Sequence, residues 1–169
     1  SLAGVILRMK SLQLGEVADF PFLEAPRPKA IADGYQLLSE LAAVDEQNQL
    51  TELGRALARL PLDPRVGRMV LEARQRQALS EVLIIAAAMG LQDVRERPTE
   101  ARAAADQAHA RFDDDKSEFV SYLRLWEWIE SHRVGEDKLS QRKLENLLKQ
   151  SFIHVRRWFP ICTRRLCLR

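Results

Sequence analysis

Apolar positions recur at helical spacing through most of the chain. Leu2, Val5, Ile6, Met9 and Leu12 fall three and four apart, which predicts an amphipathic helix over residues 2–14 with Gly15 as its stop. The run from Asp19-Phe20-Pro21-Phe22 to Ala25-Pro26-Arg27-Pro28 forms a stiff connector, because each proline removes an amide donor and keeps the preceding residue extended. Ile31, Leu37, Leu38 and Leu41 mark a second helix over 29–43. Two short extended pieces, Ala43-Val44-Asp45 and Gln49-Leu50-Thr51, flank the polar Glu46-Gln47-Asn48 and predict a small hairpin, although no Asn-Gly or Asp-Gly pair fixes its turn. Thr51 is the expected N-cap of a helix carrying Leu53, Ala56, Leu57 and Leu60. Helices followed by a small β wing predict a winged-helix domain over residues 1–61.

Pro61 ends that unit, and Asp63-Pro64 restarts the chain with an N-cap and a proline at the first helical position. Val66, Met69, Val70 and Ala73 line the next helix, to about Gln77. Ser80 is the expected cap of a helix reading EVLIIAAAMG, apolar nearly all round and therefore central. A charged loop over 92–98 leads to a helix from Thr99 to about Phe112. Asp113-Asp114-Asp115 then precedes a helix over 117–133, on which Phe119, Tyr122, Leu123, Trp126 and Ile129 share one face. A last helix from Ser140 buries Leu144, Leu147, Leu148 and Phe152. The expected fold is mainly α: a winged helix with a short hairpin wing, a helical bundle over 62–157, and a basic tail over 158–169.

Composition adds limits. With 169 residues, 46% of them hydrophobic, the chain can build a real core, and 7 Gly with 7 Pro exclude a collagen-like or broadly disordered chain. The longest apolar run, Val82–Leu91, falls well short of the ~18 residues a membrane span needs, and no signal-peptide pattern opens the sequence. The expected setting is soluble and cytoplasmic. Cys162 and Cys167 have no partners at ligand spacing, so neither a zinc site nor a disulfide framework is expected. Net charge is −2 over 1–60, −1 over 61–150 and +5 over the last 19 residues. A body this near neutral does not announce a nucleic-acid binder.

Motifs for catalysis are missing. There is no phosphate loop, dinucleotide fingerprint, H-E-x-x-H pair or nucleophile elbow. The Asp113–Asp115 run reads as a solvated cap. No catalytic residue, metal, cofactor or small-molecule substrate is expected, and the chain alone is expected to turn over no ATP. Trp126 and Trp128, two apart, cannot share a helix face; Trp126 lies on the core stripe.

Several stretches resemble one family. Leu50-Thr51-Glu52-Leu53-Gly54-Arg55 followed by Leu57-Ala58-Arg59-Leu60-Pro61-Leu62-Asp63-Pro64-Arg65 is similar to a junction of DEAH-box RNA helicases. Phe20-Pro21-Phe22-Leu23-Glu24-Ala25-Pro26 resembles the connector upstream of it, and Arg97-Pro98, Phe112 and Ser117–Trp126 follow in the family's order. The likeness covers roughly residues 1–157 and is nearest to bacterial members. It implies a winged helix plus ratchet bundle that follow two RecA-like motor domains, with ATP and magnesium belonging to those motors and not to this chain. A fragment of a larger helicase is expected.

The resemblance also implies a role: the bundle closes a channel for single-stranded RNA and couples it to the motor, while the winged helix acts as hinge. Gln92, Arg95, Arg97, Lys116, Arg156 and Arg157 are the candidate RNA contacts on that basis. The alternative is an interaction module that docks on a motor or another protein without binding nucleic acid itself. A duplex reader is disfavoured, because the exposed positions of helix 29–43 are Lys29, Asp33, Gln36, Ser39 and Glu40, a face that repels phosphate. Beyond Arg157 the likeness stops, and Pro160 breaks the helix the family continues there.

Overall fold

A computed structural model describes residues 2–90, 92–135 and 137–157, so the expectations for the 158–169 tail lie outside the described residues. Among the described residues the chain is mainly helical. The helices are α1 (Leu2–Ser11), α2 (Pro28–Glu40), α3 (Glu52–Ala58), α4 (Pro64–Gln75), α5 (Leu79–Met89), α6 (Arg102–Ala110), α7 (Glu118–Val134) and α8 (Gln141–Gln150), with a 3-10 turn, Thr99–Ala101, before α6. No described helix is long and apolar enough to cross a membrane. Two compact units divide between Gln77 and Ala78.

In the first unit α1 packs on α2 and α3, and Ile6, Leu38, Val17, Ala43 and Leu57 centre its core. Full burial of a side chain such as Leu38, 0% exposed, contributes roughly 2–3 kcal/mol. Gly34 permits the close approach of α1: a Cβ there would lie 2.6 Å from Ile6 Cδ1 and 3.3 Å from the Ala3 amide nitrogen. Helix α1 stops at Ser11 and not at 14. Gln13 adopts φ 55° and the Leu14 amide donates to Met9 O at 3.1 Å, so the reversal is complete before Gly15. Leu12 is consequently 57% exposed.

Helix α2 opens with Pro28 at its first position. It closes when Ala42, at φ 56°, lets the Ala43 amide reach back to Leu38 O at 2.8 Å. The hairpin follows as one antiparallel bridge between Val44 and Leu50. Its turn is fixed by Asp45, whose Oδ1 accepts from the Gln47 and Gln49 amides at 3.0 and 2.8 Å. Thr51 caps α3, its Oγ1 accepting from the Gly54 amide at 3.0 Å, and Asp63 caps α4 by accepting from the Arg65 amide at 3.0 Å. Helix α4 packs on α3, and by contact belongs to the first unit.

The second unit is built on α7, which packs on α5 and α8. Leu83 to Ala88 of α5 are all buried, as its apolar sequence predicts. That helix begins at Leu79 behind Ala78, without a side-chain cap, so Ser80 sits inside the first turn instead of capping it. On α7 the buried residues are Ser121, Leu125, Trp126 and Ile129, whereas Phe119 is 47% exposed. The stripe read from sequence therefore included one exposed ring and omitted Leu125.

Candidate nucleic-acid interface

The loop over 92–98 is held straight by the chain's last described segment. Arg95 and Ile153 form an antiparallel bridge, with the Glu96 amide donating to Phe152 O at 2.8 Å and the His154 amide to Val94 O at 2.7 Å. Val94 and Ile153, each 1% exposed, anchor the pair in the core. Asp93 organises the loop from the other side: its Oδ1 accepts from the Arg95 amide at 2.9 Å.

Five of the six residues singled out from sequence lie on these two paired segments, but in different states. Gln92 and Arg156 are exposed. The Arg95 side chain is 7% exposed; its Nη2 donates to Asp93 Oδ2 at 2.9 Å and to Glu118, and its guanidinium lies 4.8 Å from the Tyr122 ring centre. Burial opposes its charge, yet the bonds to Asp93 and Glu118 outweigh burial and raise its pKa. Burial and the Asp93 carboxylate push the Tyr122 hydroxyl up to about 12. Arg157 Nη1 donates to Asp93 O at 3.1 Å, so Arg95 and Arg157 converge on one residue. Arg97 Nε donates to Asp106 Oδ1 at 2.8 Å across a solvent-exposed pair.

Lys116, the sixth, projects from the turn before α7 and is exposed. Asp114 builds that turn, its Oδ1 accepting from the Lys116 and Ser117 amides, both at 3.0 Å, and its Oδ2 from Arg124 Nη2 at 2.8 Å. The acidic run thus serves the junction. Among the described residues no His, Cys, Asp and Glu cluster could hold a metal ion.

Beneath the patch lies a layer that sequence reasoning missed. His109, 1% exposed, places Nε2 at 3.1 Å from Ser151 O and 3.2 Å from Phe152 O, while its Nδ1 is buried without a partner. Arg111 donates to Ser151 Oγ at 2.9 Å and covers the Trp128 ring at 4.1 Å. Trp128 also packs on Phe112 and His132, with centroids 5.2 and 5.0 Å away, so its ring is engaged within the unit. An Asp-x-Arg pair in a loop, as at 93 and 95, was the one sequence signal for an internally satisfied arginine.

Burial, reinforced by the charges of Arg97 and Arg95, lowers the His109 pKa below its ordinary 6.5, against the opposing pull of the two carbonyls. The unfolded chain therefore binds this proton at a higher pH than the folded one. Stability is full above about pH 6.5 and falls as pH descends from there towards the depressed folded value. We expect a lower melting temperature at pH 5.5 than at 7.5, and a flatter profile in His109→Gln, which keeps a donor without titrating. A wild-type profile no steeper than that of the variant would contradict this.

Two family models match this chain in succession: "Helicase associated domain (HA2), winged-helix" over residues 35–62 and "Helicase associated domain (HA2), ratchet-like" over 63–122. Together they span just over half of it. The chain belongs to the helicase-associated HA2 family. This HA2 chain is 42% identical, over 97% of its length, to the ATP-dependent RNA helicase HrpA of Escherichia coli strain K12. It is 38% identical, over 95% of its length, to the HrpA homolog of Haemophilus influenzae. It spans 13% of the length of each of these relatives. The HA2 winged-helix match holds the C-terminal part of α2, the hairpin and α3; the ratchet-like match begins at Asp63, the cap of α4.

Proposed function

We propose that the chain works as the accessory region of an HrpA-like ATP-dependent RNA helicase, gripping single-stranded RNA and coupling it to RecA-like motor domains supplied by the rest of the protein. The observation that carries this reading is the ordered pair of HA2 matches within a likeness to HrpA over nearly the whole chain. ATP and its magnesium ion would be held by the motor domains. The grip would come from Gln92, Arg97, Lys116 and Arg156, whose polar heads reach solvent. Arg95 and Arg157 would act differently, holding the 92–98 loop and the 153–157 segment in register through Asp93. Contacts of this kind hold a backbone without reading sequence.

A second reading has one observation behind it: three of the six candidate residues already donate to protein oxygens. Under it, the chain docks on a motor and has little RNA affinity of its own. Fluorescence anisotropy of a labelled twelve-nucleotide oligo-uridine separates the two. We expect weak binding at 50 mM salt that falls at least roughly 10–20-fold by 200 mM, the share that about three phosphate contacts from Arg97, Lys116 and Arg156 contribute at −0.7 each. Arg156→Glu is expected to weaken it and Arg142→Glu, on the exposed first turn of α8, to leave it unchanged. No binding at 50 mM salt would favour the docking module.

A further inference from the structure

The winged-helix unit carries a second cationic surface that the helicase reading does not use. An open cleft of about 770 Å³ is lined by Arg8, Lys10, Glu16, Gln49, Arg55 and Arg59, with Leu50 on its wall. Arg8 Nη1 donates to Ala58 O at 2.8 Å and Arg55 Nη1 to Leu50 O at 2.8 Å. Each guanidinium is thereby fixed by one N–H while its other donors remain available, since the group carries five. Arg59, the C-cap of α3, sits one helical turn beyond Arg55 and is exposed. Among the described residues none of these three arginines pairs with a carboxylate. The carboxylate on the cleft, Glu16, is already held by Tyr35 Oη at 2.7 Å and Lys10 Nζ at 3.1 Å.

We propose that this cleft binds the phosphodiester backbone of single-stranded RNA, as a second contact on the first unit, an inference that rests on the RNA-binding reading above. Three like charges that line one cleft, none paired with its single carboxylate, repel one another in a chain whose first 60 residues are net −2, so their placement is not a consequence of general basicity. Planar forks pinned to main-chain oxygens suit phosphate, which accepts two parallel N–H bonds from each. Arg55 on α3 and Arg59 at its C-cap, which keeps helical dihedrals, have Cβ atoms about 5–6 Å apart, a span on which neighbouring phosphates of an extended strand can be held together.

Chemical-shift mapping on the full chain tests this, with oligo-uridine, inorganic tripolyphosphate and a hexaglutamate peptide as separate probes. Oligo-uridine is expected to move the Arg8, Arg55 and Arg59 side-chain resonances, and tripolyphosphate to move the same set. In Arg55→Gln/Arg59→Glu the RNA affinity at 50 mM salt should fall about 5–10-fold, with the salt slope shallower by about 1.4 for two lost contacts. If oligo-uridine moves only Gln92, Lys116 and Arg156, the helicase reading stands and the second contact is overturned. If it moves neither set, both fall. Shifts here with hexaglutamate but not with RNA would assign the cleft to an acidic protein partner and overturn the proposal. Because Arg59 is a solvent-exposed cap, Arg59→Glu alone keeps the test open if the double variant is misfolded.

Discussion

Gly54→Ala is expected to destabilise the first unit by about 4 kcal/mol or more, although helix propensity predicts the opposite sign. Gly54 lies inside α3, where alanine would ordinarily gain about 1 kcal/mol over glycine. A Cβ at this position would stand 1.9 Å from Ala43 O and 2.9 Å from Ala43 C, both main-chain atoms. Ala43 cannot step aside. Its carbonyl accepts from the Thr51 amide at 3.1 Å and its amide donates to Leu38 O at 2.8 Å, so moving it breaks the base of the hairpin and the end of α2 together. Overpacking against a yielding side chain costs about 1–3 kcal/mol, and a clash with fixed backbone belongs above that range. Denaturant unfolding followed by circular dichroism measures the loss, and amide exchange assigns it to residues 2–75. A variant within 1 kcal/mol of wild type would mean that α3 can pull back from Ala43.

The same neighbourhood shows which features were legible and which were not. Thr51 and Asp63 were readable as caps because the chemistry is local: a short oxygen-bearing side chain meets an orphan amide two or three residues on. Pro64 sharpened the second case. The hairpin was readable only as alternation, since its turn uses no Asn-Gly pair. Asp45 instead receives two amides on one carboxylate oxygen, an arrangement aspartate can make anywhere and sequence cannot single out. Helix stops were harder. Gln13 and Ala42 take the left-handed conformations at the ends of α1 and α2, positions for which glycine is the expected residue, so Gly15 drew the boundary too far along. Ser80 misled in a related way, because the cap position of α5 is Ala78, two residues earlier, which leaves its first amides without a side-chain cap.

For the candidate interface, sequence located the segments but not the state of each side chain. Arg95 and Arg97 read alike, two apart in one charged loop. Folding buries the first between Asp93 and Glu118, from positions two residues before it and 23 after it, and leaves the second on an exposed ion pair. The distant partner is the reason: no local pattern announces that the first turn of α7 will return to the loop. His109 was likewise invisible, because its acceptors, Ser151 O and Phe152 O, are main-chain atoms more than 40 residues away. Contacts within one helix turn are written in spacing, whereas contacts closed by the tertiary fold are not.

Leu125→Ala is expected to cost about 3–4 kcal/mol, against under 1 kcal/mol for Phe119→Ala on the same helix, reversing the order that side-chain size suggests. Leu125 is 1% exposed and sits in the core cluster with Ile84, Val94, Phe112, Ile129, Leu148 and Ile153. Removing its branched end leaves a void walled by close-packed neighbours from several elements, and a buried leucine lost to such a void costs about 2–5 kcal/mol. Phe119 occupies the first turn of α7, where its ring is 47% exposed, so truncation leaves solvent and no cavity. The reversal follows from packing on two sides. Helix α7 is covered by α5 and by α8, so its buried arc is wider than the single stripe that a period of 3.6 marks out, and it takes in Leu125 and Ser121. Ser121 is tolerated there because its Oγ accepts from the Asp114 amide at 2.9 Å and donates to Ser117 O at 3.4 Å. Denaturant midpoints for the two variants decide the matter. Equal losses, or a larger one for Phe119→Ala, would place the covered side of α7 where the sequence stripe put it and not where the packing does.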